Sequence, residues 1–312
     1  MKIDLNVDLG KLKLKNPVMT ASGTFGYGFE YAKFFPLEKL GAVVVKGIAT
    51  FPSHGNPTPR VVEVESGMLN AIGLQGPGVE KFLHGEEYLP FLRKSNATII
   101  VNIWGKTIDD YIEVASRLEA EKKGIHALEI NISCPNIKEG GVAFGTDLKL
   151  AHKVVSEVRK VTKLPLITKL SPNVSSIKDF ARTVEDAGSD MISLINTITG
   201  MAIDIETWKP KLANVTGGLS GPAIKPVALR MVYEASQAVK IPIIGMGGIM
   251  NADDAIEFLL AGASAIAVGT AIFTDPIAPL KVIEGIENYL IRKKLSSVSE
   301  ITGKLIINRK KG

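Results

Sequence analysis

Short apolar runs alternate with amphipathic segments along most of the chain. Each run is rich in Val, Ile and Leu and ends in glycine or a polar residue, as the buried strands of a parallel sheet do. The pattern predicts eight strands, in residues 17–23, 42–47, 97–103, 127–133, 164–170, 191–197, 241–248 and 264–270.

The segments between most of these strands carry apolar residues at helical spacing. They predict helices in residues 107–122, 147–161, 175–187, 222–239 and 251–261. Strands that alternate with helices imply parallel pairing through right-handed crossovers, and eight such units favour a closed (β/α)8 TIM barrel. An open dinucleotide-binding sheet is disfavoured, because Gly23, Gly26 and Gly28 do not form G-x-G-x-x-G before a helix.

Three segments depart from this repeat. Residues 3–14 alternate like a hairpin, which we expect to cover the N-terminal mouth of the barrel. The connections 48–96 and 198–221 are long, and long ordered connections usually bind ligands or cover a site. We expect both over the C-terminal face of a single domain that spans residues 1–312.

Composition narrows the class of protein. The net charge is +5, but the basic residues are scattered and aromatic content is only 6%, which argues against nucleic-acid binding. We find no signal-peptide pattern and no apolar stretch long enough for a membrane span, so we expect a cytoplasmic protein without membrane or nucleic-acid partners. The one cysteine rules out a disulfide framework and a cluster-binding cysteine set within this chain.

Polar residues are concentrated where the predicted strands end. Lys46 and Lys169 each follow an apolar strand, and an ammonium group buried there needs an anionic partner. An ion pair with Glu129 is one possibility, and an anionic ligand is the other. The neighbouring Asn102 and Asn131 favour the ligand, because side chains at strand C-termini line the active site of a barrel.

The last two predicted strands end in GMGGI and AVGTAI. Glycines there allow backbone N–H groups to approach a phosphate, and these two loops are a common phosphate site in barrels. A phosphorylated substrate or a mononucleotide such as FMN fits this pattern. We predict no metal site, because the four histidines lack ligand spacing.

Cys134 lies just after the fourth predicted strand and is followed by Pro135 and Asn136. A thiol in this position is a buried apolar residue, a nucleophile or a general base. A nucleophilic cysteine usually needs a nearby histidine, and none is suitably placed in the sequence. Proton abstraction beside a carbonyl is therefore the favoured chemical role.

Several long motifs together resemble the dihydroorotate dehydrogenase family. They are TASGTFGYG (20–28), NAIGLQGPG (70–78), NISCPN (131–136), KLSPNV (169–174), INTITGM (195–201) and TGGLSGPAIKPVALRMVY (216–233). The resemblance is to class 1, and within it to the FMN-containing catalytic subunit of the NAD-linked subgroup. Two residues depart from the usual pattern: Trp104 replaces a small residue, for which we favour a packing role, and Gly76 stands where asparagine is more common.

The resemblance implies that Cys134 removes a proton from dihydroorotate while FMN accepts a hydride. It implies a cofactor site formed by Ser22, Lys46, Gly47, Asn102, Asn131, Lys169, Ile195, Gly221, Gly247, Gly248, Gly269 and Thr270. It implies a substrate site formed by Lys46, Asn70, Ala71, Ile72, Gly73, Leu74, Asn131, Asn196 and Thr197.

The resemblance also implies a partner subunit that carries FAD and a [2Fe–2S] cluster and passes electrons to NAD. The implied assembly is a heterotetramer built on a homodimer of catalytic subunits. Two alternatives stay open at this point. One is a related FMN enzyme acting on another pyrimidine or using another electron acceptor, and the other is a non-redox barrel that binds a phosphorylated metabolite.

Overall fold

The computed structural model describes residues 3–133 and 144–307. Strands and helices alternate through most of these ranges. The strands are β1 (Val7–Asp8), β2 (Lys13–Leu14), β3 (Val18–Thr20), β4 (Val43–Ile48), β5 (Val61–Val64), β6 (Gly67–Asn70), β7 (Ile99–Ile103), β8 (Ala127–Asn131), β9 (Leu166–Lys169), β10 (Met191–Leu194), β11 (Ile198–Met201), β12 (Ile203–Asp204), β13 (Lys209–Pro210), β14 (Thr216–Ser220), β15 (Ile243–Met246) and β16 (Ala265–Val268). The helices are α1 (Val79–His84), α2 (Leu89–Lys94), α3 (Ile108–Ala120), α4 (Leu148–Val161), α5 (Ile177–Asp186), α6 (Lys225–Ser236), α7 (Ala252–Ala261), α8 (Ala271–Thr274) and α9 (Ala278–Lys293).

Eight of these strands form one parallel sheet in the order β3-β16-β15-β10-β9-β8-β7-β4. The two end strands meet at a seam, where the Gly41 N–H donates to the Val18 carbonyl at 2.8 Å. The buried Thr20 hydroxyl accepts from the Val44 N–H at 3.0 Å across the same seam. The sheet is therefore a closed barrel, which confirms the predicted fold and each of the eight predicted strands.

The five predicted helices are also present, as α3 to α7. Each packs an apolar stripe against the barrel; in α3 this stripe contains Tyr111, Val114 and Leu118. Thr107 begins α3 with a reciprocal capping box, in which its side chain accepts from the Asp110 N–H. The sequence pattern missed α9, although Val282, Ile286 and Leu290 follow helical spacing and are fully buried.

The predicted N-terminal hairpin is present as β1 paired with β2. The Lys11 ammonium in its turn lies 2.8 Å from the carboxylate of Asp190, which directly precedes β10. Leu9 in the same turn is fully buried. The hairpin therefore lies at the N-terminal end of the barrel, opposite the rim on which the strands end.

The two long connections are more ordered than the sequence pattern indicated. The first contains β5, β6, α1 and α2, and the second contains β11 to β14. Strands from both connections pair in one antiparallel sheet, in the order β11-β14-β6-β5. We call this four-stranded sheet the cover sheet; it joins two segments that are separated in the sequence by four barrel strands, β7 to β10.

Among the described residues, no helix is both long and apolar enough to cross a lipid bilayer.

Substitution of Gly41 tests the barrel seam. A Cβ at this position would collide with the Asn16 carbonyl oxygen and lie 2.9 Å from that of Val18. We expect Gly41→Ala to lower the free energy of unfolding by about 1–3 kcal/mol, since overpacking costs this much. Urea denaturation followed by circular dichroism measures the change. Gly23→Ala is the matched control, because nothing lies within 4 Å of its Cβ position, and equal stability of the two variants would contradict the prediction.

Candidate active site

The C-terminal rim of the barrel brings together most of the polar residues that the sequence singled out. Asn131 on β8 is in register with Lys169 on β9, and Asn102 on β7 is in register with Glu129 on β8. All four side chains are buried, with exposed fractions of 6% or less. Buried amide, ammonium and carboxylate groups require partners, so their hydrogen bonds indicate which of them are available to a ligand.

Both carboxylate oxygens of Glu129 have hydrogen-bond partners within the protein. One carboxylate oxygen accepts from Asn102 Nδ2 at 2.6 Å, and the other accepts from Ser193 Oγ at 2.8 Å. The ion pair considered from the sequence, between Glu129 and one of the two lysines, is therefore wrong. Strand geometry explains this, because neighbouring strands place neutral hydrogen-bond donors closer to the carboxylate.

Lys169 and Lys46 make no ion pair in the described part of the chain. The buried Lys169 ammonium donates a long hydrogen bond, 3.4 Å, to the Ser22 hydroxyl. Lys46 lies within the C-terminal half of β4 and is half-buried. Burial lowers the pKa of Lys46 below its ordinary value and the nearby Arg60 guanidinium lowers it further, while Glu30 acts in the opposite direction. Two cations at one rim, without carboxylate partners among residues 3–133 and 144–307, make this rim a candidate site for an anion.

Asn131 and Asn196 are linked through Ser133, a residue that the sequence analysis did not select. The Asn131 Oδ1 atom accepts from the Ser133 N–H and hydroxyl, at 3.2 and 2.9 Å. Asn196 Nδ2 donates to the same hydroxyl at 2.8 Å. These bonds engage the Asn131 oxygen, and within the described residues its amide nitrogen remains available as a donor. Ser133 lies within the NISCPN motif, which is the signal that would have identified it.

The predicted substrate segment, residues 70–74, begins at the end of β6 in the cover sheet. Asn70 is in register with Gly218 of β14, which packs directly against Thr197. The cover sheet thus brings the two halves of the predicted substrate site, Asn70 to Leu74 and Asn196 with Thr197, into contact.

A second loop fixes the conformation of this segment. The Asn56 backbone N–H and side-chain Nδ2 donate to the carbonyls of Ile72 and Ala71, both at 2.9 Å. Arg60 Nη2 donates to the Gln75 side chain at 2.5 Å. Gly73 and Leu74 follow in the left-handed region, with φ of 76° and 55°. The segment therefore has a defined shape before any ligand binds.

The predicted phosphate loops also meet at the rim. Gly221, Gly247 and Gly248 all have positive φ, and the Cβ position of Gly248 lies 2.9 Å from the Gly221 carbonyl oxygen. Ile195 closes this group by donating its N–H to Met246 at 3.0 Å. The close approach of these backbones requires glycine and leaves N–H groups near the first turn of α6.

The loop after β16 completes the rim. The Gly269 Cβ position is 3.4 Å from the Ala21 side chain, next to Ser22, and Thr270 begins α8. The predicted cofactor residues within the described ranges therefore surround one end of the barrel. Cys134, the predicted base, lies outside the described residues.

Gly47, Trp104 and Gly76 pack together beside this site. Trp104 is 3% exposed and its ring stacks edge-on against Phe51, with centroids 5.5 Å apart, in agreement with a packing role. The Gly47 Cβ position lies 2.9 Å from both the indole and Asn102 Oδ1, so a larger residue would not fit. The Gly76 Cβ position lies 3.0 Å from the Gly47 carbonyl oxygen and 3.1 Å from the Tyr27 hydroxyl.

Comparison with known proteins places the chain in a family. The family model for dihydroorotate dehydrogenase matches residues 4–290. A Geotalea uraniireducens protein named dihydroorotate dehydrogenase B (NAD(+)), catalytic subunit, is 56% identical over 98% of this chain and 99% of its own length. Proteins of the same name from Alkaliphilus metalliredigens and Desulforamulus reducens are 56% and 55% identical, each over 97% of this chain and 99% of their own length.

A solved structure supports the fold independently. The chain is similar to a dihydroorotate dehydrogenase from Eimeria tenella, crystallised with ferulenol, with a TM-score of 0.79 and 24% identity over 96% of this chain and 88% of that one. At this identity the likeness concerns the fold. The motifs, the barrel and the near full-length relatives agree, and this chain belongs to the dihydroorotate dehydrogenase family.

Proposed function

We propose that this chain is the FMN-containing catalytic subunit of an NAD-linked dihydroorotate dehydrogenase, which oxidises (S)-dihydroorotate to orotate in pyrimidine biosynthesis. The observation that carries the proposal is the pair of rim cations, Lys46 and Lys169, without carboxylate partners in the described residues. A bound anionic cofactor and an anionic substrate would supply the missing partners. The full-length relatives of the same name support the reaction class.

The residues present suit FMN. Asn102 Oδ1 is fully buried and has no hydrogen-bond partner among the described residues, so it lacks a donor that a flavin ring N–H or ribityl hydroxyl would provide. The glycines of the phosphate loops, Gly221, Gly247, Gly248 and Gly269 with Thr270, would hold its phosphate. Ser22, Gly47, Asn131, Lys169 and Ile195 would contact the ring and ribityl chain. When bound, FMN supplies the acceptor for the hydride that leaves carbon 6 of the substrate.

The chain's own residues would bind and orient the substrate. The Lys46 ammonium pairs with the ring carboxylate, since a cation there offsets the charge of the ligand. Asn131 donates from its amide nitrogen, which has no partner in the described part of the chain, and the segment Asn70 to Leu74 encloses the pyrimidine ring together with Asn196 and Thr197. Because Ser133 fixes the amide of Asn131, this donor is already oriented before binding.

Cys134 is the proposed general base. Its thiolate takes the proton from carbon 5, and the carbon 5–carbon 6 double bond of orotate forms as the hydride leaves carbon 6. We propose that the electrons then pass to NAD through a partner subunit that carries FAD and a [2Fe–2S] cluster, in a heterotetramer with a homodimeric catalytic core. This chain contains one cysteine and does not provide the ligands of such a cluster.

Replacement of Cys134 tests the base. We expect Cys134→Ala to keep bound FMN but to reduce its flavin about 100- to 10,000-fold more slowly with dihydroorotate, the usual contribution of a general base. Anaerobic stopped-flow measurement of flavin absorbance gives the rate. Photochemical reduction of the same variant is the control for an intact flavin, and a rate near that of the wild type would exclude Cys134 as the base.

The lowered pKa of Lys46 predicts a pH dependence. Lys46 binds the substrate carboxylate only while protonated, so kcat/KM for dihydroorotate should fall on the alkaline side below the ordinary lysine value of 10.5. Lys46→Arg should move this alkaline limb to higher pH, because the guanidinium does not titrate there.

Lys46→Met should raise the KM for dihydroorotate about 10- to 100-fold, the value of a charge-assisted hydrogen bond. Dihydrouracil, which has no carboxylate, is the matched substrate and should show no such change. If the KM values for both substrates rise equally in the variant, the assignment of Lys46 to the carboxylate is wrong. If the wild type prefers dihydrouracil, the assignment of the substrate is wrong.

A further inference from the structure

A buried chain of hydrogen bonds connects three barrel strands directly below the rim. Ser193 on β10 donates to Glu129 on β8, and Asn102 on β7 donates to the other oxygen of the same carboxylate. Ser193 and Asn102 are 0% exposed and Glu129 is 2% exposed. The oxygen of the Asn102 amide has no hydrogen-bond partner in the part of the chain that the structure describes.

The carboxylate determines which way this amide points. Each Glu129 oxygen accepts one hydrogen bond, so Asn102 must present its nitrogen to Glu129. The reverse orientation would place the amide oxygen against a carboxylate oxygen and leave two acceptors facing each other. The Asn102 oxygen is thereby directed to the side of Gly47, whose Cβ position lies 2.9 Å from it.

We propose that Glu129, supported by Ser193, is a positioning residue that holds Asn102 as a hydrogen-bond acceptor for bound FMN. Glu129 acts through Asn102 and does not itself contact the cofactor. The ligand group is an N–H or O–H donor, either the ring N3–H or a ribityl hydroxyl. This inference rests on the proposed function, because it requires that FMN is the ligand of this rim.

Two substitutions at Glu129 distinguish its effect on the orientation of the Asn102 amide from the effect of its negative charge. Glu129→Leu removes the acceptor, so the Asn102 amide is no longer fixed, and we expect FMN to bind about 10-fold more weakly. In Glu129→Gln the side-chain oxygen still accepts from Asn102 while the new amide nitrogen donates to Ser193. We therefore expect FMN affinity to stay within about 3-fold of the wild type. Quenching of FMN fluorescence on titration into the apoprotein measures both dissociation constants.

A double-mutant cycle tests whether Glu129 acts through Asn102. Asn102→Ala should weaken FMN binding to a similar extent as Glu129→Leu. Adding Glu129→Leu to Asn102→Ala should change the dissociation constant by less than about 2-fold, because the group being positioned is already gone. Titration with N3-methyl-FMN identifies the group that donates to Asn102. If the wild type binds N3-methyl-FMN more weakly than FMN and Asn102→Ala binds the two equally, the donor is the ring N3–H. If the wild type binds both equally, the donor is a ribityl hydroxyl.

Thr168→Val is the matched control for loss of a buried hydrogen bond. Thr168 is fully buried, and its hydroxyl pairs with Ser189 at 2.8 Å, away from the rim. This variant should lose stability while keeping wild-type FMN affinity.

Three results would overturn the proposal. The first is wild-type affinity for FMN in Glu129→Leu, and the second is a full further loss of FMN affinity when Glu129→Leu is added to Asn102→Ala. The third is a loss of FMN affinity in Glu129→Gln as large as that in Asn102→Ala. The last result decides the question even if Glu129→Leu does not fold. A wild-type protein that does not bind FMN would instead overturn the proposed function.

Discussion

Closure of the eight-stranded parallel sheet is the constraint on which the rest of this structure depends. At the seam, Gly41 and Thr20 join β3 to β4 through backbone and hydroxyl hydrogen bonds. Once the ring is closed, all eight strands end on one rim, and side chains from distant parts of the sequence become neighbours. Ser22 and Lys169 are 147 positions apart and share a hydrogen bond. The site exists because of this geometry.

The cover sheet adds a second constraint on the same rim. β6 and β14 pair across 148 positions of sequence, as the contact between Asn70 and Gly218 shows. A loop held in a sheet has fewer accessible conformations than a free one, so less entropy is lost when it encloses a ligand. The segment that follows Asn70 is fixed further by Asn56, whose two donors bind successive carbonyls.

Internal hydrogen bonds assign complementary roles to similar residues at the rim. Asn131 has its oxygen engaged by Ser133 and offers a donor, whereas Asn102 has its nitrogen engaged by Glu129 and offers an acceptor. The two lysines make no ion pair with Glu129, a buried carboxylate of the same rim whose oxygens accept from the neutral donors Asn102 and Ser193. An oxidoreductase that binds an anionic ring between amides and cations fits this distribution of groups.

The sequence by itself determined the barrel and its family, because apolar periodicity of eight strand–helix units and the long motifs are both local properties of the chain. It also indicated the rim residues, since Lys46, Asn102 and Lys169 each end an apolar run. The tertiary structure decided what the sequence left open: that Glu129 binds amide and hydroxyl donors, and that the two long connections share one sheet. The reason is that pairing between residues 27 to 148 positions apart depends on strand register and ring closure, which no local pattern encodes.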